Sequence, residues 1–237
     1  MTNTPSSKDR RDWDALLQWA LPRLHLRWRG FKRVRKQVIK RLQRRTVALG
    51  LDHPDTYRRY VTEHPEEWAF LDRSCRITIS RFRRDRGVFD LLGDEVLPRW
   101  RRANEPVRMW SAGCASGEEP YSLVLCWQLD VAAQGVSPPV EVLATDADEQ
   151  LIERARRACY ALGTLKEVPL HWLDAFEETD AGWVLRTAYR RAVRFERADV
   201  RQGMPRRRFE LIACRNLAFT YFDTEVQRSV FDGLVRR

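Results

Sequence analysis

Two hydrophobic rhythms divide the chain. Trp13, Leu16, Leu17 and Ala20 recur at helical spacing over 12–26, with Pro22 as an interruption. Val34, Val38 and Leu42 then recur every four residues, a single buried stripe on a helix that Gly50 stops. Residues 52–61 and 65–71 read as two shorter helices, and the polar stretch 1–10 is expected to fray. The first 75 or so residues therefore predict a small all-α domain. After a helix and loop over 87–98 the rhythm changes to short apolar runs alternating with amphipathic stretches. Candidate strands are Val107–Ala112, 140–144, 192–195 and 209–214, and candidate helices are 120–133, 149–158 and Thr224–Val235. Such alternation predicts a parallel sheet, which binds ligands at the carboxyl ends of its strands.

With 43% hydrophobic and 11% aromatic residues, the chain can fill a core, which excludes a disordered protein. No apolar run reaches the roughly 18–20 residues that cross a bilayer, and the N-terminus lacks a signal-peptide core. Cys75, Cys114, Cys126, Cys159 and Cys214 are odd in number with no Cys-x-x-Cys pair, and the four histidines are scattered. Neither a disulfide framework nor a metal site is expected, and a reducing cytoplasm is the natural compartment. Charge is uneven. Residues 1–60 hold 16 Lys and Arg against five Asp and Glu, a net of +11; since the whole chain is +10, the remainder is −1. Within 23–45 there are 11 basic residues and no acid. A solvated face accounts for part of this, but such an excess repels itself, which favours a polyanionic partner.

The densest chemistry lies at 109–125: an apolar strand, a turn with Gly113 and Gly117, the carboxylates Glu118 and Glu119, and Pro120 in the first turn of a helix. Glycines let the turn approach a ligand closely. Two carboxylates would repel the pyrophosphate that a helix N-terminus otherwise attracts, so this is no dinucleotide cradle. A ligand with a cationic or neutral polar edge fits, and S-adenosylmethionine has ammonium, sulfonium and ribose hydroxyls. Further on, Asp146 ends an apolar strand where an acid can hold both ribose hydroxyls. Asp148 reads as the N-cap of the next helix.

The run Gly113-Cys-Ala-Ser-Gly-Glu-Glu-Pro-Tyr-Ser-Leu123 resembles the cofactor loop of CheR-type chemotaxis receptor methyltransferases, which methylate protein glutamates from S-adenosylmethionine. The resemblance implies an α/β fold: a Rossmann-like methyltransferase sheet with a small N-terminal all-α domain. It divides the chain into a basic helical domain 1–75, a linker 76–98 that contributes to the active site, and an S-adenosylmethionine-binding domain 99–237. It assigns Gly113, Glu118 and Asp146 to the cofactor. Asp199 and Val200 fall where the family contacts adenine, usually with Asn-Leu; a plain turn residue remains the competing reading of Asp199. Cys214-Arg215-Asn216-Leu217 and Tyr221-Phe222-Asp223 resemble two further motifs, one residue farther apart than usual. They place Asn216 and Leu217 at the cofactor and Tyr221 at the acceptor. Cys214 reads as a small buried residue.

In the linker, Thr78 and Ser80 fall on cofactor-contacting positions, Arg84 on the catalytic arginine, and Arg83 on a position usually held by phenylalanine. Without the resemblance, 81–86 is a solvated basic turn. The implied partner is an acidic helical protein such as a chemoreceptor cytoplasmic domain. Nucleic acid is disfavoured for want of an RNA-recognition signature, and membrane insertion is not expected. Residues 160–195, around Trp183-Val-Leu-Arg, match the small β-insert that binds receptor tails in some members. The chain ends at Arg237, just after the helix that follows the fourth strand, so the sheet is expected to be incomplete on its C-terminal side. A different methyl acceptor, or a non-catalytic docking module, stays open.

Overall fold

The Ser7–Ala20 helix buries Trp13, Leu16, Leu17 and Ala20, as their spacing dictates. In this computed structural model, which describes residues 7–135 and 137–237, the helix already begins at Ser7; only 1–6 of the stretch expected to fray lie outside the described residues. Two compact units emerge: one of residues up to Ile77 with Asn216–Ser229, the other of Thr78–Arg215 with Val230–Arg237.

In the helical unit, Pro22 opens a single 3-10 turn, Leu21–Leu24, where its missing N–H costs nothing. The Arg35–Ala48 helix buries Val38, Ile39, Leu42 and Thr46, while Val34 sits half-buried at its N-cap instead of in the stripe. Lys32, Arg33, Lys36, Lys40 and Arg44 are exposed. Gly50, at φ 70°, follows the helix end. The next helix is Pro54–Glu63, starting later than the apolar pattern suggests because His53 and Thr56 form a reciprocal cap with Pro54 behind it. Glu67–Cys75 follows, burying Leu71, Ser74 and Cys75.

Arg45 does not join the exposed basic face. Its guanidinium grips buried Glu67 through two parallel bonds of 2.9 and 2.7 Å, and the Tyr57 hydroxyl donates to the same carboxylate at 2.8 Å. Burial pushes the Glu67 carboxyl up, but the bonds from Arg45 and Tyr57 outweigh it and hold the group below the ordinary value. Stabilisation from this cluster is therefore full above the unfolded glutamate pKa of about 4.3 and is lost as pH falls through the lower folded value. Circular dichroism during acid titration should show helix loss below that range, and Glu67→Gln should flatten the dependence.

The described residues of the second unit form seven strands: β1 (Val107–Ala112), β2 (Val140–Asp146), β3 (Cys159–Tyr160), β4 (Phe176–Thr179), β5 (Gly182–Leu185), β6 (Val193–Arg197) and β7 (Leu211–Ala213). Four of them form a parallel sheet in the order β6-β2-β1-β7. Val107 pairs with Val140 and Ala112 with Thr145. β1 is buried at all positions but Arg108, as befits a strand covered on both faces. The crossover from β1 to β2 is one continuous helical stretch: Glu118–Leu125, a π-helical Cys126–Val131 and a 3-10 turn Ala132–Gln134. Strand order reverses between β1 and β7, which makes their carboxyl ends the switch point where such sheets bind ligands.

β3, β5 and β4 form a separate antiparallel sheet. Val193, grouped above with the insert, belongs to the parallel sheet. The region 87–98 is helical throughout, as Arg86–Leu91, a π-helical Leu92–Val96 and a 3-10 turn Leu97–Trp100. The last strand is shorter than 209–214, and Cys214 beyond it is half-buried, not buried. Among the described residues, no helix is long and apolar enough to cross a membrane.

Candidate functional site

Where β1 ends, the backbone turns back on β2: the N–H groups of Gly113 and Cys114 both donate to the Thr145 carbonyl, at 2.8 and 2.9 Å. Gly113, Ala115 and Gly117 all have left-handed φ, of 80°, 49° and 95°. Ala115 carries a Cβ, so its conformation needs a partner, and its N–H donates to Asp146 Oδ2 at 2.9 Å. Gly117 has no space for one: an added Cβ would lie 2.9 Å from Ala155 Cβ and 3.0 Å from the Tyr160 hydroxyl oxygen. Tyr160 in turn donates to the Ser116 carbonyl at 2.9 Å. Gly117→Ala combines left-handed strain of about 1–2 kcal/mol with overpacking of about 1–3 kcal/mol. It should lower the urea midpoint accordingly without changing the slope.

The two carboxylates of the turn have different surroundings. Glu118, 3% exposed, accepts from the Ser116 hydroxyl, which lies 3.0 and 2.9 Å from its two oxygens. Glu119 is half-buried, accepting from the Ser111 hydroxyl at 2.8 Å and from Arg215 Nη1 at 3.2 Å. Burial pushes the Glu119 carboxyl up to about 7; Arg215, the Ser111 hydrogen bond and Arg84 oppose the rise, and Asp85 adds to it.

Arg215 follows β7 closely and joins three segments. Its Nη2 donates to the Arg84 carbonyl at 2.6 Å and to Asp85 Oδ2 at 2.7 Å, and its guanidinium lies 5.3 Å from the centre of the Phe89 ring. Neither Glu119 nor Arg215 was among the sequence-derived site residues. The signal for Arg215 was its place as the charged residue beyond the strand beside β1; Glu119 was masked by its neighbour.

The linker is held by apolar and polar anchors. Phe82 is fully buried, with the rings of Tyr160 and Phe176 edge-on at 4.8 and 5.1 Å. Arg83, at φ 52°, donates its N–H to the Ser122 hydroxyl at 2.9 Å. Its guanidinium pairs with Asp90 and lies 5.6 Å from the Trp172 ring centre, where a planar cation can stack on the ring. Arg84 Nη1 donates to the Ile79 carbonyl at 2.6 Å. Thr78 and Ser80 are half-buried upstream of it.

Asp146 Oδ1 also accepts from the Asp148 N–H at 3.0 Å, so this carboxylate organises both its own turn and the glycine turn. Asp148 is the helix N-cap, accepting from the Gln150 N–H at 2.9 Å. The Ala198 N–H donates to the Asp146 carbonyl at 2.9 Å, which places Asp199 and buried Val200 next to this strand end. The Arg201 guanidinium donates to both oxygens of Asp199, and the Arg201 N–H adds a further bond at 3.0 Å, the geometry of a turn residue.

Thr78, Ser80, Arg84, Gly113, Glu118, Asp146, Asp199 and Val200 thus share the sheet unit. Asn216, Leu217 and Tyr221 belong to the helical unit. Asn216 is left-handed at φ 52°, and Tyr221 ends the turn Ala218–Tyr221 with its ring centre 5.2 Å from that of Phe31. The sheet unit's acceptors suit S-adenosylmethionine: a half-buried carboxylate at Glu119 for a cationic group and an acid at the end of β2 for hydroxyls.

Comparison with known proteins agrees. Residues 78–237 match the family model "CheR methyltransferase, SAM binding domain". The chain is 29% identical over 205 residues to chemotaxis protein methyltransferase 2 of Pseudomonas aeruginosa, covering 84% of this chain and 72% of that one. It is 33% identical over 159 residues to a chemotaxis protein methyltransferase of Listeria monocytogenes, covering 65% and 58%. An uncharacterized 104.1 kDa protein of Rhodobacter capsulatus is 30% identical over 194 residues, covering 80% of this chain but 20% of that protein. The chain thus spans less than two thirds of the length of several curated relatives. With its glycine turn, its β2 acid and two thirds of its length matched, the chain belongs to the CheR methyltransferase family, and its cofactor is S-adenosylmethionine.

Proposed function

We propose that the chain transfers the methyl group of S-adenosylmethionine to glutamate carboxylates on an acidic helical protein, such as a chemoreceptor cytoplasmic region. The observation that carries this reading is the meeting of Glu119, Arg215 and the Arg84 linker at the switch point between β1 and β7. The chemotaxis methyltransferases among its relatives support the reaction and the partner class.

When bound, S-adenosylmethionine supplies a methyl group activated by a sulfonium. An ionised carboxylate attacks it without a general base, so the protein's task is to bind, orient and exclude water. Asp146 takes the ribose hydroxyls while the glycine turn, anchored on the same carboxylate, lines the pocket. Glu119 takes the ammonium; Glu118, closed onto Ser116, shapes the turn. Thr78 and Ser80 contribute hydroxyls, and Gly113 allows close backbone approach. Because Arg201 holds the Asp199 carboxylate, the adenine contact there passes to the Asp199–Val200 backbone and the Val200 side chain. By the family resemblance, Asn216 and Leu217 are further cofactor residues and Tyr221 an acceptor residue. Arg84 grips the acceptor carboxylate by two parallel bonds, leaving a lone pair free to attack. The exposed basic face at Lys32, Arg33, Lys36, Lys40 and Arg44 supplies docking charge, and an odd number of cysteines with no Cys-x-x-Cys pair favours the cytoplasm.

Transfer of tritiated methyl groups to receptor cytoplasmic fragments tests the reaction, and loss of the label in mild base identifies an ester. A base-stable label would show a different acceptor, and absence of transfer despite docking would leave a binding module. Arg84→Ala should slow transfer by about 100-fold, the usual cost of one lost transition-state contact, with cofactor affinity little changed once the pH is high enough to keep Glu119 ionised. Since the ionised form of Glu119 receives the ammonium, affinity should rise as pH increases through about 7 and fall again once the ligand's own α-ammonium deprotonates, above about 8. Calorimetry across that range checks the sign.

A further inference from the structure

Arg215 divides its charge unequally. Its shorter bonds, 2.6 and 2.7 Å, go to the Arg84 carbonyl and to Asp85 in the linker, and its longer one, 3.2 Å, goes to Glu119. An arginine fork facing a lone carboxylate normally closes on it through two parallel bonds, as Arg45 does on Glu67. Arg215 does not close on Glu119 in this way, and Asp85 is the group that competes. Asp85 adopts a left-handed backbone at φ 60°, two residues after Arg83 at 52°. Aspartate accepts that conformation more readily than most side chains, because its short carboxylate can bond locally.

We propose that Asp85 is a positioning residue: by drawing Arg215 toward the linker it keeps Glu119 from being locked in an ion pair and fixes the backbone of Arg84. The inference rests on the methyltransferase reading above, in which Glu119 must exchange Arg215 for the ammonium of the cofactor. Asp85 leaves Arg215 partnered when that exchange occurs. Glu119 is faced by Arg215 beyond β7, by Arg84 and Asp85 on the linker, by Ser111 on β1 and by Cys114 in the turn; burial raises its pKa most, and Arg215 and the linker supply the charges that adjust it. The Asp85 side chain is 51% exposed, and an ion pair so placed contributes little to stability. Its contribution is therefore read in ligand binding and in the titration of Glu119, not in unfolding.

The test compares the full chain with Asp85→Asn, Asp85→Gly and Asp85→Glu. Glycine accepts a positive φ without strain, so Asp85→Gly removes the carboxylate while easing the backbone. In ligand-free protein, carboxyl-carbon NMR with Glu119→Gln for assignment follows the Glu119 titration. Both Asp85→Asn and Asp85→Gly should lower the apparent pKa of Glu119, because Arg215 closes on it and a neighbouring negative charge is gone. Calorimetry at about pH 8, where Glu119 is ionised in every variant, should show S-adenosylmethionine binding weakened about tenfold, a loss typical of one competing charged contact. Asp85→Glu should restore both values. A merely structural role would not lower the Glu119 pKa. Wild-type binding with unchanged titration and affinity in Asp85→Asn and Asp85→Gly overturns the inference alone. Absence of binding by the wild type overturns the functional reading, and the inference with it.

Discussion

Asp146→Ala is expected to weaken S-adenosylmethionine binding by at least about 100-fold. The carboxylate has two duties. It holds the left-handed Ala115 and the Asp148 N–H, at 2.9 and 3.0 Å, and in the proposed complex it accepts both ribose hydroxyls. A hydrogen bond to an ionised group contributes about 1.5–3 kcal/mol. Losing two ribose contacts therefore costs roughly 3–6 kcal/mol, or at least about 100-fold in affinity. Release of the Ala115 N–H adds to the loss, because the glycine turn is no longer pre-organised. Asp146→Asn keeps an acceptor for the turn but not the charge, and should fall between the two. Calorimetric titration with thermal unfolding of each variant separates a lost contact from a lost fold. Equal affinities for wild type and Asp146→Ala would refute the placement of the ribose.

The second large effect lies in the helical unit. Glu67→Ala should destabilise the protein by about 3 kcal/mol or more, because breaking a buried ion pair strands its partner. Arg45 loses both bonds of its fork and the buried Tyr57 hydroxyl loses its acceptor. Arg45 retains partial access to water, which sets the estimate at the lower end of the range. Glu67→Gln preserves an acceptor for Tyr57 and should cost less. Urea unfolding followed by helical ellipticity measures both.

These two sites show what the sequence makes legible. The helix spacing of Trp13, Leu16, Leu17 and Ala20 and the apolar runs of β1 and β2 are local signals, and their burial follows the pattern directly. Asp146 at the end of β2 was legible because a strand followed by an acid is a one-dimensional motif. Arg45 was not: it lies in a run of like charges, and only its pairing with a residue 22 positions away separates it from the solvated face. Val34 was misplaced because periodicity cannot tell a stripe residue from the cap before it. Asp199 kept two readings, since the Arg201 fork that occupies its carboxylate comes from a residue with no distinguishing pattern. Glu119, Arg215 and Asp85 are brought together from three segments spread over 130 positions. No window along the chain contains all three, so their shared electrostatics required the fold.

The most direct test of the account is a crystal structure of this chain with S-adenosylhomocysteine. The account predicts the ribose on Asp146 and the amino-acid end on Glu119, beside the turn at Gly113–Gly117. A nucleoside bound elsewhere in the protein, or turned with its ammonium away from Glu119, would contradict it.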